Sequence, residues 1–120
     1  MEIDTLKCKK IELVDKNGKP RIILYADEDE GVILLIGDNN PNIQISTNKT
    51  KPAQILLTDH LSRPRIIFSV SNNGSAALNI IDEKGYPKVD VGYDAELKKA
   101  FIGYNGKALK EIRDHYNNPS

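Results

Sequence analysis

His60 and His115 are the only histidines of this sequence, and Cys8 is its only cysteine. His60 follows Asp59, and an Asp–His pair is where a general base or a metal site can begin. Neighbours on an extended chain point to opposite sides, however, and two histidines cannot make a three-histidine metal site within one chain. His60 therefore reads as a solvated turn residue. Cys8 lies between Lys7 and Lys9, whose charges favour the thiolate. A redox or nucleophilic role needs a positioned base or a resolving cysteine, and the sequence places neither nearby. Cys8 reads as a plain cysteine on an edge strand. The run Asp27-Glu28-Asp29-Glu30-Gly31 offers oxygen ligands of the kind Ca²⁺ takes. It lacks the alternating spacing of an EF-hand loop and reads as an acidic loop that discourages edge pairing.

There is no glycine-rich phosphate loop, Gly-x-Ser-x-Gly elbow, CxxC or HExxH. No acid, base and nucleophile converge, so the expectation is a non-enzyme with no catalytic residue, no cofactor and no metal.

The carboxylates that recur, Asp15, Asp38, Asp59 and Asp82, mark an internal repeat. Ile11–Asp15 is followed by Gly18, Pro20 and Arg21, then Ile22 to Leu24. Ile55–Asp59 leads into Pro64, Arg65 and Ile66 to Phe68, and Leu78–Asp82 into Gly85, Pro87, Lys88 and Val89 to Val91. Weaker copies run from Leu34 through Ile36 and Asp38 to Ile45, and from Lys99 through Gly106 to Leu109. Aligned positions 15, 38, 59, 82 and 103 are 21 to 23 residues apart. The chain therefore reads as a single domain, residues 1–120. About five units of about 22 residues fill 10–107, and a cap covers 108–120.

Each unit reads as a β-hairpin, because the Ile- and Val-rich runs of five or six residues suit strands. The Asp carboxylate can accept turn amides, and Gly18, Gly85 and Gly106 can take the left-handed conformation of a G1 bulge. Ser62 stands at the glycine position of the third unit, so that turn is expected to differ. Pro20, Pro64 and Pro87 belong at a strand start or bulge. A row of turn carboxylates would repel, and the Asx-turn reading neutralises it with backbone amides. Arg21, Arg65 and Lys88 are expected to pair with those carboxylates or to guard an edge. Polar loops at 27–31, 47–52, 71–75 and 94–96 join the units. Ala108, Leu109, Ile112 and Tyr116 lie at helical spacing, which allows a short C-terminal helix or an irregular cap. The expected fold is all-β: a hairpin meander or stacked array, as a prism, barrel or spiral.

Some strands alternate cleanly, such as Val89-Asp90-Val91, while Arg21–Tyr25, Gly31–Ile36 and Arg65–Phe68 put apolar groups on both faces. One sheet of ten short strands cannot cover both faces in 120 residues without helices. The chain is therefore expected to be a homo-oligomer, trimer or dimer. Ile22, Leu24, Leu34, Ile36, Ile55, Leu57, Ile66, Phe68, Leu78, Ile80, Val89 and Val91 would form its core or interface.

Seventeen basic and seventeen acidic residues give zero net charge, which argues against a dedicated nucleic-acid binder. The single cysteine excludes an internal disulfide, and no apolar run approaches the roughly 18–20 residues of a membrane helix. The first ten residues carry no apolar signal region, so a cytoplasmic or virion-associated location is expected, with no membrane partner. Trp is absent and aromatics are 6%, which disfavours base-stacking and sugar platforms.

The pattern apolar-x-apolar-x-Asp-x-x-Gly-x-Pro-Arg resembles hairpin-repeat segments of bacterial and phage proteins. It is carried by Asp15, Gly18, Pro20 and Arg21, by Asp59, Pro64 and Arg65, and by Asp82, Gly85, Pro87 and Lys88. The order of strand, turn, strand and polar loop is also similar to the triple β-spiral of viral fibre shafts, which implies a trimeric structural module. The period here is longer than in those shafts and the charge higher. The first functional expectation is a non-catalytic structural or assembly module, in a phage or bacterial assembly, with an unidentified protein partner allowed. The alternative is an up-and-down barrel that binds a small apolar ligand inside.

Overall fold

The architecture comes from a computed structural model in which residues 2–38, 40–105 and 107–108 are described. They form ten strands: β1 (Lys10–Val14), β2 (Pro20–Ala26), β3 (Glu30–Ile36), β4 (Pro41–Asn48), β5 (Ala53–Thr58), β6 (Pro64–Val70), β7 (Ala76–Ile81), β8 (Pro87–Asp94), β9 (Lys99–Tyr104) and β10 (Lys107–Ala108). All ten lie in one sheet in chain order, each antiparallel to the next. Among the described residues no helix is long and apolar enough to cross a membrane.

The expected all-β hairpin meander is therefore present, and it is open. β1 pairs with β2 alone, and the sheet does not close on itself into a barrel. Three of the hairpin turns explain the repeat. Asp15, Asp59 and Asp82 each donate their own N–H to the carbonyl four residues on, at 2.9–3.0 Å. Each also accepts from the N–H three residues on, at 3.0–3.1 Å. The residue at that third place has positive φ: Gly18 at 81° and Gly85 at 90°. Ser62 takes the same place at 62° with the same two bonds, so its turn does not differ as the sequence suggested. The left-handed conformation costs a non-glycine residue roughly 1–2 kcal/mol, less than the closed set of hydrogen bonds returns.

The prolines follow. Pro20, Pro41, Pro64 and Pro87 each stand opposite the last residue of the preceding strand, where the register slips by one. Each proline and the residue after it oppose one partner, a bulge that asks no N–H of the proline.

A single sheet has no interior. Among the described residues no hydrophobic side chain is buried. The chain measures 64 × 31 × 25 Å with a radius of gyration of 18.7 Å, against about 14 Å for a compact domain of this length. Its surface is 9430 Å², where about 6,500 Å² is expected of a globular 13.4 kDa chain. The proposed core residues are thus open within one chain. Of the 108–120 cap, Ala108 lies in β10, and residues 109–120 lie outside the described residues, as does Gly106.

Candidate interaction face

Paired residues in an antiparallel sheet point to the same face, so the register sorts every side chain. One face carries an unbroken middle row, from Ile11 through Leu24, Ile33, Ile45, Ile55, Phe68, Leu78 and Val91 to Ile102. Beside it, nearer the Asp turns, runs a second: Leu13, Ile22, Leu35, Ile43, Leu57, Ile66, Ile80, Val89 and Tyr104. Each row has nine members, one from every strand β1 to β9, and none is charged. A third row, nearer the polar loops, is smaller: Ala26, Gly31 and Thr47 on β2–β4, then Ala53, Val70, Ala76, Tyr93 and Ala100 on β5–β9.

The middle row stays open. Leu24, Ile33, Ile45 and Ile55 are 37–38% exposed, Val91 40% and Phe68 44%. A shallow groove of about 570 Å³ runs over the middle and loop-side rows from β4 to β8.

The opposite face is mixed. Its central row reads Glu12, Ile23, Leu34, Gln44, Leu56, Ile67, Asn79, Asp90 and Gly103. Asn79 donates to Asp90 across β7 and β8. Leu34 belongs to this face, and so does Ile36, two residues on along β3. These two were grouped by sequence with ten residues that the sheet places on the other side.

The titratable groups gather at the turns and are occupied there. Asp59 Oδ1 accepts the Leu61 and Arg63 amides at 2.9 and 3.1 Å, and Oδ2 accepts Arg63 Nε at 2.8 Å. Arg65 Nη1 lies 3.5 Å from the same oxygen. Partial desolvation raises the Asp59 pKa, but the Arg63 and Leu61 amides and the Arg63 guanidinium outweigh it and hold it at about 2. Asp15 is lowered first by the Asn17 amide, against partial desolvation, and further by the Lys19 amide and Arg21. Asp82 is lowered first by the Tyr86 amide, with Lys88 at 3.6 Å. Arg21, Arg65 and Lys88 thus all sit beside the carboxylate of their own hairpin. With its oxygens engaged, Asp59 is not poised to orient the exposed His60. His115 lies outside the described residues. Asp38 occupies a shortened turn whose Asn39 also lies outside them.

The acidic loop is tied down likewise. Asp27 accepts the Asp29 and Glu30 amides at 2.8 Å and the Tyr25 hydroxyl at 2.6 Å. The hydroxyl is the main cause of its lowered pKa, and the same bond raises that of Tyr25. Among the described residues no three His, Cys, Asp or Glu side chains gather into a metal-binding group. Cys8 is exposed.

One turn was missed in the sequence. The loop Ser71-Asn-Asn-Gly-Ser75 closes as the Asp turns do: Ser71 N–H to Ser75 O at 2.8 Å, Gly74 N–H to Ser71 O at 3.0 Å, and Gly74 at φ 89°. Its signal was present, since Gly74 follows Ser71 at the offset by which Gly18 follows Asp15.

This is a one-layer β-meander with one apolar face. No protein-family model matches the chain, and no curated protein matches it. Among solved structures it is similar to part of TarM from S. aureus, in a crystal structure of a mutant in complex with Fondaparinux, alpha-GlcNAc-glycerol and UDP. The TM-score is 0.53 at 16% identity, over 91% of this chain and 24% of that one. The chain thus spans about a quarter of the structure it matches, and the likeness is one of fold.

Proposed function

We propose that this chain is a non-catalytic structural module that self-associates, with its apolar face covered by further copies of itself. The observation that carries this is the pair of unbroken nine-residue apolar rows, left open in a chain with no buried hydrophobic side chain among the described residues. Full burial of an aliphatic side chain contributes roughly 1.5–3 kcal/mol, so covering one that is two-fifths exposed adds about 1 kcal/mol. Nine of the eighteen positions are about that exposed or more and the other nine add smaller amounts, so their sum is of the size of the roughly 4–15 kcal/mol that association costs in lost freedom. The surface in excess of a globular chain, about 2,900 Å², is several times the roughly 800 Å² each partner gives to an ordinary interface.

Light scattering after size exclusion tests this. The expected mass is twice or three times 13.4 kDa. An Ile55→Asp variant, which places a carboxylate in the middle row, is expected to lose that mass. Gln44→Glu on the mixed face, where the paired residues Leu34 and Leu56 carry no charge, is expected to keep it. A parent chain that runs as a monomer at micromolar concentration overturns the reading.

A further inference from the structure

We infer that the copies wind about a single axis along the direction in which the strands stack, each strand level with its own counterpart. The turn-side row of one copy then packs on the loop-side row of the next. The inference rests on the self-association proposed above, and two independent features of the sheet carry it.

The first is size. The turn-side row is large throughout, and the loop-side row is mostly alanine, glycine and threonine. An axis along the strands would set large rows against each other on one side of the interface and small rows on the other. The sheets could not then hold an even separation of roughly 10 Å. An axis along the stack sets large against small on β2–β5, β7 and β9. Leu35 meets the partner copy's equivalent of Gly31, and Tyr104 that of Ala100. β8 is the telling case: its loop-side residue is the row's one aromatic, Tyr93, and its turn-side residue is that row's one valine, Val89. The sizes are exchanged on the same strand, as close packing across this contact requires.

The second is twist. Neighbouring strands rotate by roughly 20–25°, so the nine steps of a ten-stranded sheet accumulate to about 200°. Two such sheets docked across an axis perpendicular to the stack diverge towards their ends. Copies wound about an axis along the stack keep the same faces together over the whole length. The arrangement is cyclic, and it brings the middle rows to the axis.

Cysteine cross-linking tests the arrangement. In a Cys8→Ser background, Leu57→Cys (turn-side, β5) is placed on one tagged copy and Ala53→Cys (loop-side, β5) on a differently tagged copy. Ile80→Cys with Ala76→Cys on β7 forms a second pair. Light scattering before oxidation confirms that each variant keeps the parent mass. On mild oxidation, co-refolded mixtures are expected to give at least several-fold more disulfide-linked product than either variant alone. Self-linking of the Leu57→Cys copy, or no linking in either mixture at parent mass, overturns the arrangement and leaves self-association standing. A monomeric parent overturns both.

Discussion

Arg65 Nε donates to the Ile81 carbonyl at 2.7 Å, and so ties the third hairpin to the fourth. The same tie recurs two strands earlier, where Asn42 donates to the Thr58 carbonyl at 3.5 Å, and two before that, where Arg21 donates to the Ile36 carbonyl at 3.5 Å. In each case the donor follows the bulge proline, and the acceptor ends the strand before the next turn. The bulge therefore does more than spare a proline N–H. It aims the following side chain along the sheet at the neighbouring repeat.

Arg65→Met keeps the aliphatic stem and removes the donors. Hydrogen bonds from charged groups contribute roughly 1.5–3 kcal/mol, and this side chain is partly exposed, so a loss of about 1–2 kcal/mol is expected in urea unfolding. Arg65→Lys is expected to lose nearly as much, because a lysine cannot reach the Ile81 carbonyl and Asp59 together with a planar fork. If Arg65→Met matches the parent, the tie between repeats contributes nothing.

Stability is expected to fall on acidification, with Asp59 as a main cause. Its folded pKa of about 2 lies below the ordinary 3.8. A carboxyl depressed on folding contributes stability above its unfolded pKa, and that contribution is lost as pH falls through the folded value. The window is therefore about pH 4 down to pH 2, and Asp15 and Asp82 act in the same direction. Thermal melts across pH 2–6 check this. The Asp59→Asn variant should show a shallower decline than the parent, and an identical slope would mean that Asp59 is not a source of the acid sensitivity.

The turns were legible because Asp, Gly and Pro each carry a local mechanism at a fixed offset. Asp15, Gly18 and Pro20 state a hairpin without help from the rest of the chain. Ser62 misled because propensity was weighed without the hydrogen bonds that override it. The faces were less legible. A run such as Gly31–Ile36 shows that both faces are apolar, but the register sorts them, and register depends on four bulges summed along the chain. Hence Leu34 and Ile36 were grouped with residues of the other face. Openness was not legible at all, since strands in meander order suit a barrel and a flat sheet equally.

Ser62 gives a direct measure of the strained turn position. Ser62→Gly relieves the left-handed cost and adds back unfolded-state freedom, so a net gain of up to about 1 kcal/mol is expected. Gly18→Val and Gly85→Val put a β-branched residue at φ 81° and 90° and should each cost about 2 kcal/mol or more. Urea midpoints order the set. If all three variants match the parent, the positive-φ turns do not limit stability.

Because no hydrophobic side chain among the described residues is buried within one copy, folding and association should be one event. For such a protein the folded state is favoured by mass action, and the melting temperature rises with protomer concentration. A hundredfold dilution, from about 100 μM to about 1 μM, is expected to lower it by several degrees. For a self-contained domain it would stay constant. Ile55→Asp should shift the whole curve down, since it weakens association without touching a turn. Melting temperatures of the parent that are flat over that range would mean the sheet holds itself together through its backbone ladder and turn network alone. Its apolar rows would then contribute to association without being needed for folding.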